Sequence, residues 1–235
     1  MTAGHDWLSA FPIRPASEAV DALCESWRIL AEKPRPHFHP GMKEPQLTKT
    51  LKTFVENVTA RERGLLGMWA AEVVLHEIDK DSGKLSEERR TDIVYGWNDE
   101  KRNIELVFEF KKLGRLKSHR THYLRENGLG RFVTGIYSRR QAVAAMVGIL
   151  IDPEQEVVPP LRDALSDKEL IAALKIRPCA AGHPYERPSI LFPAADFDTE
   201  HERDPHFAPS HGTIRIAHLF LAFGYPTTTK KSKKR

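Results

Sequence analysis

Thr91-Asp92-Ile93-Val94-Tyr95-Gly96-Trp97-Asn98 and, after Asp99-Glu100-Lys101-Arg102, Asn103-Ile104-Glu105-Leu106-Val107-Phe108-Glu109-Phe110-Lys111-Lys112 form the stretch that decides how this chain is read. Both runs are rich in β-branched and aromatic residues and are separated by a polar turn, so they predict two antiparallel strands joined as a hairpin. If Asn98 faces Asn103, counting outwards sets Asp92 opposite Glu109. Lys111 shares the face of Glu109, whereas Ile104, Leu106, Phe108 and Phe110 fall on the other. That apolar face is expected to be core, so burial specifies the register and brings two carboxylates and an ammonium together.

Like charges directly opposite on a sheet cost stability. A hard divalent cation relieves the repulsion, since Mg²⁺ prefers oxygen ligands and often takes one or two carboxylates beside a phosphate oxygen. An ion held there polarises a phosphoryl group and lowers the pKa of a bound water. Lys111 alongside would orient that water, help deprotonate it, or neutralise developing charge. The competing reading is a solvated hairpin face carrying cross-strand charges.

Working outwards, helical spacing of Val20, Leu23, Trp27 and Leu30 predicts a helix over 16–32, with Ser17 as its cap. It stops at Lys33-Pro34-Arg35-Pro36, and the chain to Pro40-Gly41 reads as a linker. Glu44-Pro45 opens a second helix, whose apolar face is Leu47, Leu51, Phe54, Val55 and Val58. A strand around Val73-Val74-Leu75 and a polar connection over 79–90 lead into the hairpin. A basic helix is expected over about 115–127, ending at Gly128. Residues 142–151 read as a buried strand or a short helix, which periodicity alone does not separate. A helix over 161–175, a strand near 189–193 and a last strand over 214–223 complete the chain. This order implies an α/β (α+β) class with a mixed central sheet flanked by helices. Residues 1–40 are read as an N-terminal helix and linker, 41–225 as the main domain with its core over about 43–152, and 226–235 as a disordered basic tail.

Thr91-Asp92 followed by Glu109-Phe110-Lys111, the only E-x-K in the chain, resembles the PD-(D/E)xK, or restriction-endonuclease-like, nuclease superfamily. Thr91 stands where the pattern has proline. The resemblance covers 43–152 and is similar in element order: helix, three strands, helix, strand. It implies phosphodiester hydrolysis with Mg²⁺ or Mn²⁺. Asp92, Glu109 and the Phe110 carbonyl would hold the metal, Lys111 would position or activate water, and Glu44 would support the site as a further acidic residue. Members also use polar or basic residues of the helix after the last catalytic strand, here Arg115, Lys117, His119, Arg120, His122 and Arg125.

Between Lys111 and Arg140 the only acidic residue is Glu126. Lys112, Arg115, Lys117, Arg120, Arg125 and Arg131 are therefore expected to contact nucleic acid, with salt-sensitive, sequence-independent affinity. The net charge of +4 is mild and decides little by itself. DNA is the expected substrate, with a partner subunit supplying the targeting in a bacterial restriction or phage-defence assembly, and a homodimer is compatible. No apolar run is long enough to cross a bilayer and no signal peptide is evident, so no membrane role and a cytoplasmic location are expected. The alternative function is a non-catalytic nucleic-acid-binding or scaffold subunit.

Other features carry less. Glu72, His76 and Glu77 are rival ligands on the preceding strand. Cys179 with His183 lacks the four-ligand spacing of structural zinc, and His201, His206 and His211 are irregularly placed. Ser210-His211-Gly212 reads as a turn with a surface histidine.

Overall fold

The structure, a computed structural model, describes residues 6–78, 81–83, 85–98 and 103–227. The hairpin loop 99–102 and the basic stretch after residue 227 lie outside the described residues, as do the side chains of His76 and Glu77.

Seven strands form one mixed sheet: β1 (Met68–Ile78), β2 (Leu85–Asn98), β3 (Asn103–Leu113), β4 (Val143–Leu150), β5 (Ile176–Arg177), β6 (Phe197–Glu202) and β7 (Thr213–Ala222). Their order across the sheet is β1-β2-β3-β4-β7-β6-β5. β4 runs parallel to both β3 and β7, while the flanking pairs are antiparallel. A central parallel strand is covered on both faces, and every residue of β4 is buried. This resolves 142–151 as a strand.

The predicted hairpin forms in the expected register, with Asn98 paired to Asn103 and Ile93 to Phe108. β2 nevertheless starts earlier than expected. Leu85 to Arg90, read as a polar connection, pairs with β1 through Val74↔Arg90 and Ile78↔Leu85. Backbone pairing near a sheet edge does not require an apolar face, so composition concealed it.

Helices cover both sides. On one lie α1 (Asp6–Ala10), α2 (Ile13–Ala31) and α3 (Glu44–Phe54), the last continued by a π-helical turn (Val55–Thr59) and α4 (Ala60–Glu62). Leu23, Trp27, Leu47 and Leu51 there pack with Phe108, Phe110, Val147 and Leu219. Ser17 lies inside α2 rather than capping it. The Trp27 indole donates to the Ala222 carbonyl at 2.7 Å, so α2 is bonded to β7 and shares its core with α3.

The other side carries α5 (Lys117–Leu124), α6 (Leu129–Val133), α7 (Glu154–Leu165) and α8 (Lys168–Ala173). Tyr123, Phe132, Leu161 and Leu165 pack there against Val107, Met146 and Ile216. The face of β3 that bears Glu109 is thus roofed by a second core.

The helix expected over 161–175 is two helices. α7 begins at Glu154 and contains Pro159 and Pro160, because Val157, Val158, Leu161 and Leu165 bury one face and offset the lost backbone bonds. It ends at Ser166, and Asp167 then caps α8 by accepting the Leu170 N–H at 2.9 Å. The basic helix is shorter than 115–127, and 189–193 is a loop rather than a strand. There Asp198 takes the Ser189 hydroxyl at 2.6 Å and the Ile190 N–H at 2.8 Å, so backbone donors that a ladder would use are bound by a carboxylate. Among the described residues no helix is long and apolar enough to cross a membrane.

Candidate functional site

The hairpin register sets Asp92 beside Glu109, one step beyond the Ile93↔Phe108 pair. Asp92 Oδ2 accepts the Phe110 N–H at 2.8 Å, which fixes this carboxylate against β3. Lys111 Nζ donates to Glu109 Oε1 at 2.6 Å and to the Phe110 carbonyl at 2.8 Å. Glu44, at the start of α3, completes the group: its Oε1 lies 3.5 Å from Lys111 Nζ, and its Oε2 accepts the Lys112 N–H at 2.7 Å.

α3 reaches this place because Leu47 and Leu51 bury its apolar stripe against the sheet. Its first turn is pinned from β3, where Lys112 Nζ donates to the carbonyls of Pro40 at 2.5 Å and Met42 at 3.1 Å. The four residues predicted from widely separated sequence positions therefore meet. Glu72, a rival, does not join them. It is exposed and takes a left-handed φ of 51° between the Ala71↔Ile93 and Val73↔Thr91 pairs.

Electrostatically the site is governed by burial. Glu109 is 2% exposed. Burial, reinforced by Asp92, pushes its carboxyl up to about 8 against the opposing pull of Lys111 and Arg131. Burial also raises Asp92, opposed by Lys111, by the Phe110 N–H and by a hydrogen bond with Glu109. Glu44 is raised by burial as well. Burial lowers the Lys111 ammonium, but Glu109, Glu44 and Asp92 together outweigh it and leave its pKa above the ordinary lysine value.

The donor set suits a hard divalent ion: two carboxylates and the Phe110 carbonyl, with Lys111 Nζ bonded to two of these three groups. Among the described residues no three His, Cys, Asp or Glu side chains converge on one point. Any divalent ion held by these groups would have to keep several waters, as Mg²⁺ commonly does, because they form no closed cage.

A polar cleft of about 520 Å³ opens at this group. Glu44, Lys111 and Lys112 line one side, and α5 contributes Ser118, His119 and His122. α5 is positioned by burial of Tyr123 and Leu124 on its opposite face. Arg131 and Asn127 complete the lining.

The predicted basic residues do not act as one surface. Arg131 faces the cleft. Arg115 pairs with Asp152 at 3.1 Å and Glu156 at 3.0 Å, and the Lys112 ammonium is bound by the two carbonyls described above. Arg120 donates to the Arg115 carbonyl at 3.3 Å, and Lys117 is exposed. Arg125 lines a separate, more apolar cavity of about 310 Å³ with Val133, Leu170 and Leu174.

Tyr137 was not legible in the sequence. It lies in the loop after α6, yet its hydroxyl accepts a hydrogen bond from Arg131 and its ring lies 5.4 Å beneath the same guanidinium. Burial, reinforced by Glu109, pushes its phenol up to about 12. No short motif marks a loop tyrosine for this part.

Three further histidines, His201, His211 and His218, are employed elsewhere. His211 stacks on Trp7 with ring centroids 4.4 Å apart. His201 and His218 sit in a buried hydrogen-bonded row with Thr199 and Tyr123. Compared with known protein families, curated proteins and solved structures, the chain matches none of them.

Proposed function

We propose that this protein is a Mg²⁺- or Mn²⁺-dependent nuclease that hydrolyses phosphodiester bonds of DNA, with Asp92, Glu109, Lys111 and Glu44 as its working group. The observation that carries the reading is the convergence of the buried Asp92 and Glu109 carboxyls on Lys111, beside a polar cleft that Lys111 and Glu44 line. The order α3 with its continuation into α4, then β1, β2, β3, then α5 and α6, then β4 supports it, since the restriction-endonuclease-like superfamily has helix, three strands, helix, strand.

In this reading Asp92, Glu109 and the Phe110 carbonyl hold the ion, which supplies positive charge to a phosphoryl oxygen when bound. Lys111 sits within hydrogen-bond reach of the same oxygens. As an ammonium it is placed to orient the attacking water, whose proton would pass to solvent, or to neutralise charge on the phosphorane. Glu44 holds Lys111 in position, and the Phe110 N–H holds Asp92. Targeting by a partner subunit of a bacterial restriction or phage-defence assembly extends this proposal.

A second reading rests on one observation: Lys111 already satisfies Glu109 and the Phe110 carbonyl. The group would then be a closed ion-pair network in a non-catalytic nucleic-acid-binding or scaffold subunit.

Plasmid nicking with Mg²⁺ or EDTA, combined with Mn²⁺ titration calorimetry, separates the two. The nuclease reading expects nicking only with metal and loss of about 10²–10⁴-fold in Lys111→Ala. Asp92→Ala should lose both nicking and Mn²⁺ binding, whereas Lys111→Ala should still bind Mn²⁺. Wild-type protein that takes up no Mn²⁺ would sink the proposal.

A further inference from the structure

Six basic residues flank the site in sequence, but the fold treats them differently. Arg115 is paired with two carboxylates, Lys112 is bound by two carbonyls, and Arg125 faces another cavity. Among the described residues Arg131 lines the cleft opposite Lys111 with a hydroxyl, not a carboxylate, as its hydrogen-bond partner. One of its five donors is used on Tyr137, and the rest remain for a ligand.

The support beneath Arg131 is unusually determined. Tyr137 is 2% exposed, and its backbone N–H donates to the Arg131 carbonyl at 3.0 Å. The buried Arg203 guanidinium donates to the carbonyls of Ser138 at 2.7 Å and Tyr137 at 3.0 Å. On either side of Tyr137 the chain takes left-handed φ values of 76° at Gly135 and 51° at Ser138. A Cβ at Gly135 would meet Phe207 at 2.5 Å, so the turn is closed to other residues. A strained loop held this firmly fixes a side chain, and the side chain it fixes is Arg131.

We propose that Arg131, braced by Tyr137, is the phosphate-holding residue of the cleft, and that nucleic acid is gripped there by its backbone rather than read by its bases. The described lining has no Phe, Tyr, Trp or aliphatic side chain, and its rings are the His119 and His122 imidazoles of α5, so polar and charged groups dominate the contact it offers. A planar guanidinium fixed from below presents its outer donors to two phosphate oxygens at once. This inference rests on the nucleic-acid reading of the site, but not on turnover.

The test is fluorescence anisotropy with a short labelled DNA duplex and the matching single strand, in EDTA so that no metal-dependent cleavage intervenes. Arg131→Ala is expected to weaken duplex binding about 10-fold and to reduce the slope of log affinity against log salt by about one. Tyr137→Phe keeps the ring but loses the hydroxyl, and should weaken binding about threefold, with Arg131→Lys falling between the two. Arg115→Ala should bind like wild type, and scrambling the duplex sequence should leave every ratio unchanged. Thermal melts of the variants establish that the fold is retained. The inference fails if wild type binds neither probe, if Arg131→Ala matches wild type, if Arg115→Ala is equally impaired, or if scrambling abolishes binding. Binding that depends on Arg131 without metal-dependent nicking would leave this inference standing and the nuclease reading refuted. Nicking that is indifferent to Arg131 would do the reverse.

Discussion

Glu109 holds its proton to about pH 8 because it is buried beside Asp92, whereas an exposed glutamate titrates near 4.5. The folded protein therefore binds a proton more tightly than the unfolded chain, and the sign of the pH dependence follows. This contribution to stability is complete below about 4.5 and is lost as pH rises towards about 8. In EDTA, Glu109→Gln should remove that loss and flatten the melting temperature across this window. A divalent ion competes with the same proton, so Mn²⁺ should raise the melting temperature more at the alkaline end than at the acid end. Melts that respond equally to Mn²⁺ across the window would contradict this assignment. Asp92, Glu109 and Lys111 were legible in the sequence because each strand carries its own alternation, and the apolar residues set the count between them. Tyr137 was not, because its role depends on a loop folding back under Arg131, and no periodicity encodes that return.

At the scale of elements, the first turn of α3 is attached to the end of β3 twice, through Glu44 and the Lys112 N–H and through Lys112 Nζ and the Pro40 and Met42 carbonyls. Lys112 looks in sequence like one more cation for nucleic acid, but its amine is committed to holding the chain that leads into α3. Lys112→Ala should thus cost about 1.5–3 kcal/mol in denaturant unfolding, the range for hydrogen bonds to a charged group. The same substitution should leave the salt dependence of DNA binding near that of wild type, and a fall in slope as large as that of Arg131→Ala would contradict this role. α7 makes a related point. Pro159-Pro160 argues locally for a helix that starts later, yet four buried aliphatic residues carry the helix through both prolines. The loop over 189–193 is the converse: Ile190-Leu191-Phe192 has the composition of a strand, but Asp198 captures its backbone donors.

For the whole molecule, two hydrophobic layers sandwich the sheet, and the second contains a polar row running from α5 to β6. Tyr123 bonds His218 Nδ1 at 3.0 Å, His218 Nε2 bonds Thr199 at 2.9 Å, and Thr199 bonds His201 Nε2 at 2.7 Å. His201 Nδ1 ends the row on the Leu174 carbonyl at 2.8 Å, which can only accept. With both rings neutral every proton in the row has one direction, starting from the Tyr123 hydroxyl. Burial lowers His201 to about 4 and His218 well below 6.5. The unfolded chain then takes up protons that the folded one refuses, so stability should fall as pH drops from 6.5 towards about 4, opposite in sign to the Glu109 effect. His218→Phe leaves the Thr199 hydroxyl without this partner and should cost about 2 kcal/mol or more in denaturant unfolding. It should also flatten the acid limb, and an unchanged limb would show that the row does not control it. The amino-acid sequence alone determined the mixed α/β class, the hairpin register and the company of Asp92, Glu109 and Lys111, because all three follow from short-range alternation and from which faces must leave water. Only the tertiary structure decided how Glu44, which the sequence offered through a resemblance alone, reaches them, that Arg131 lines the cleft while Arg115 is paired away and the Lys112 ammonium is bound by carbonyls, and that Tyr137 lies beneath Arg131. Those placements depend on which charges find partners once the two layers close, and pairing across the fold leaves no period in the chain.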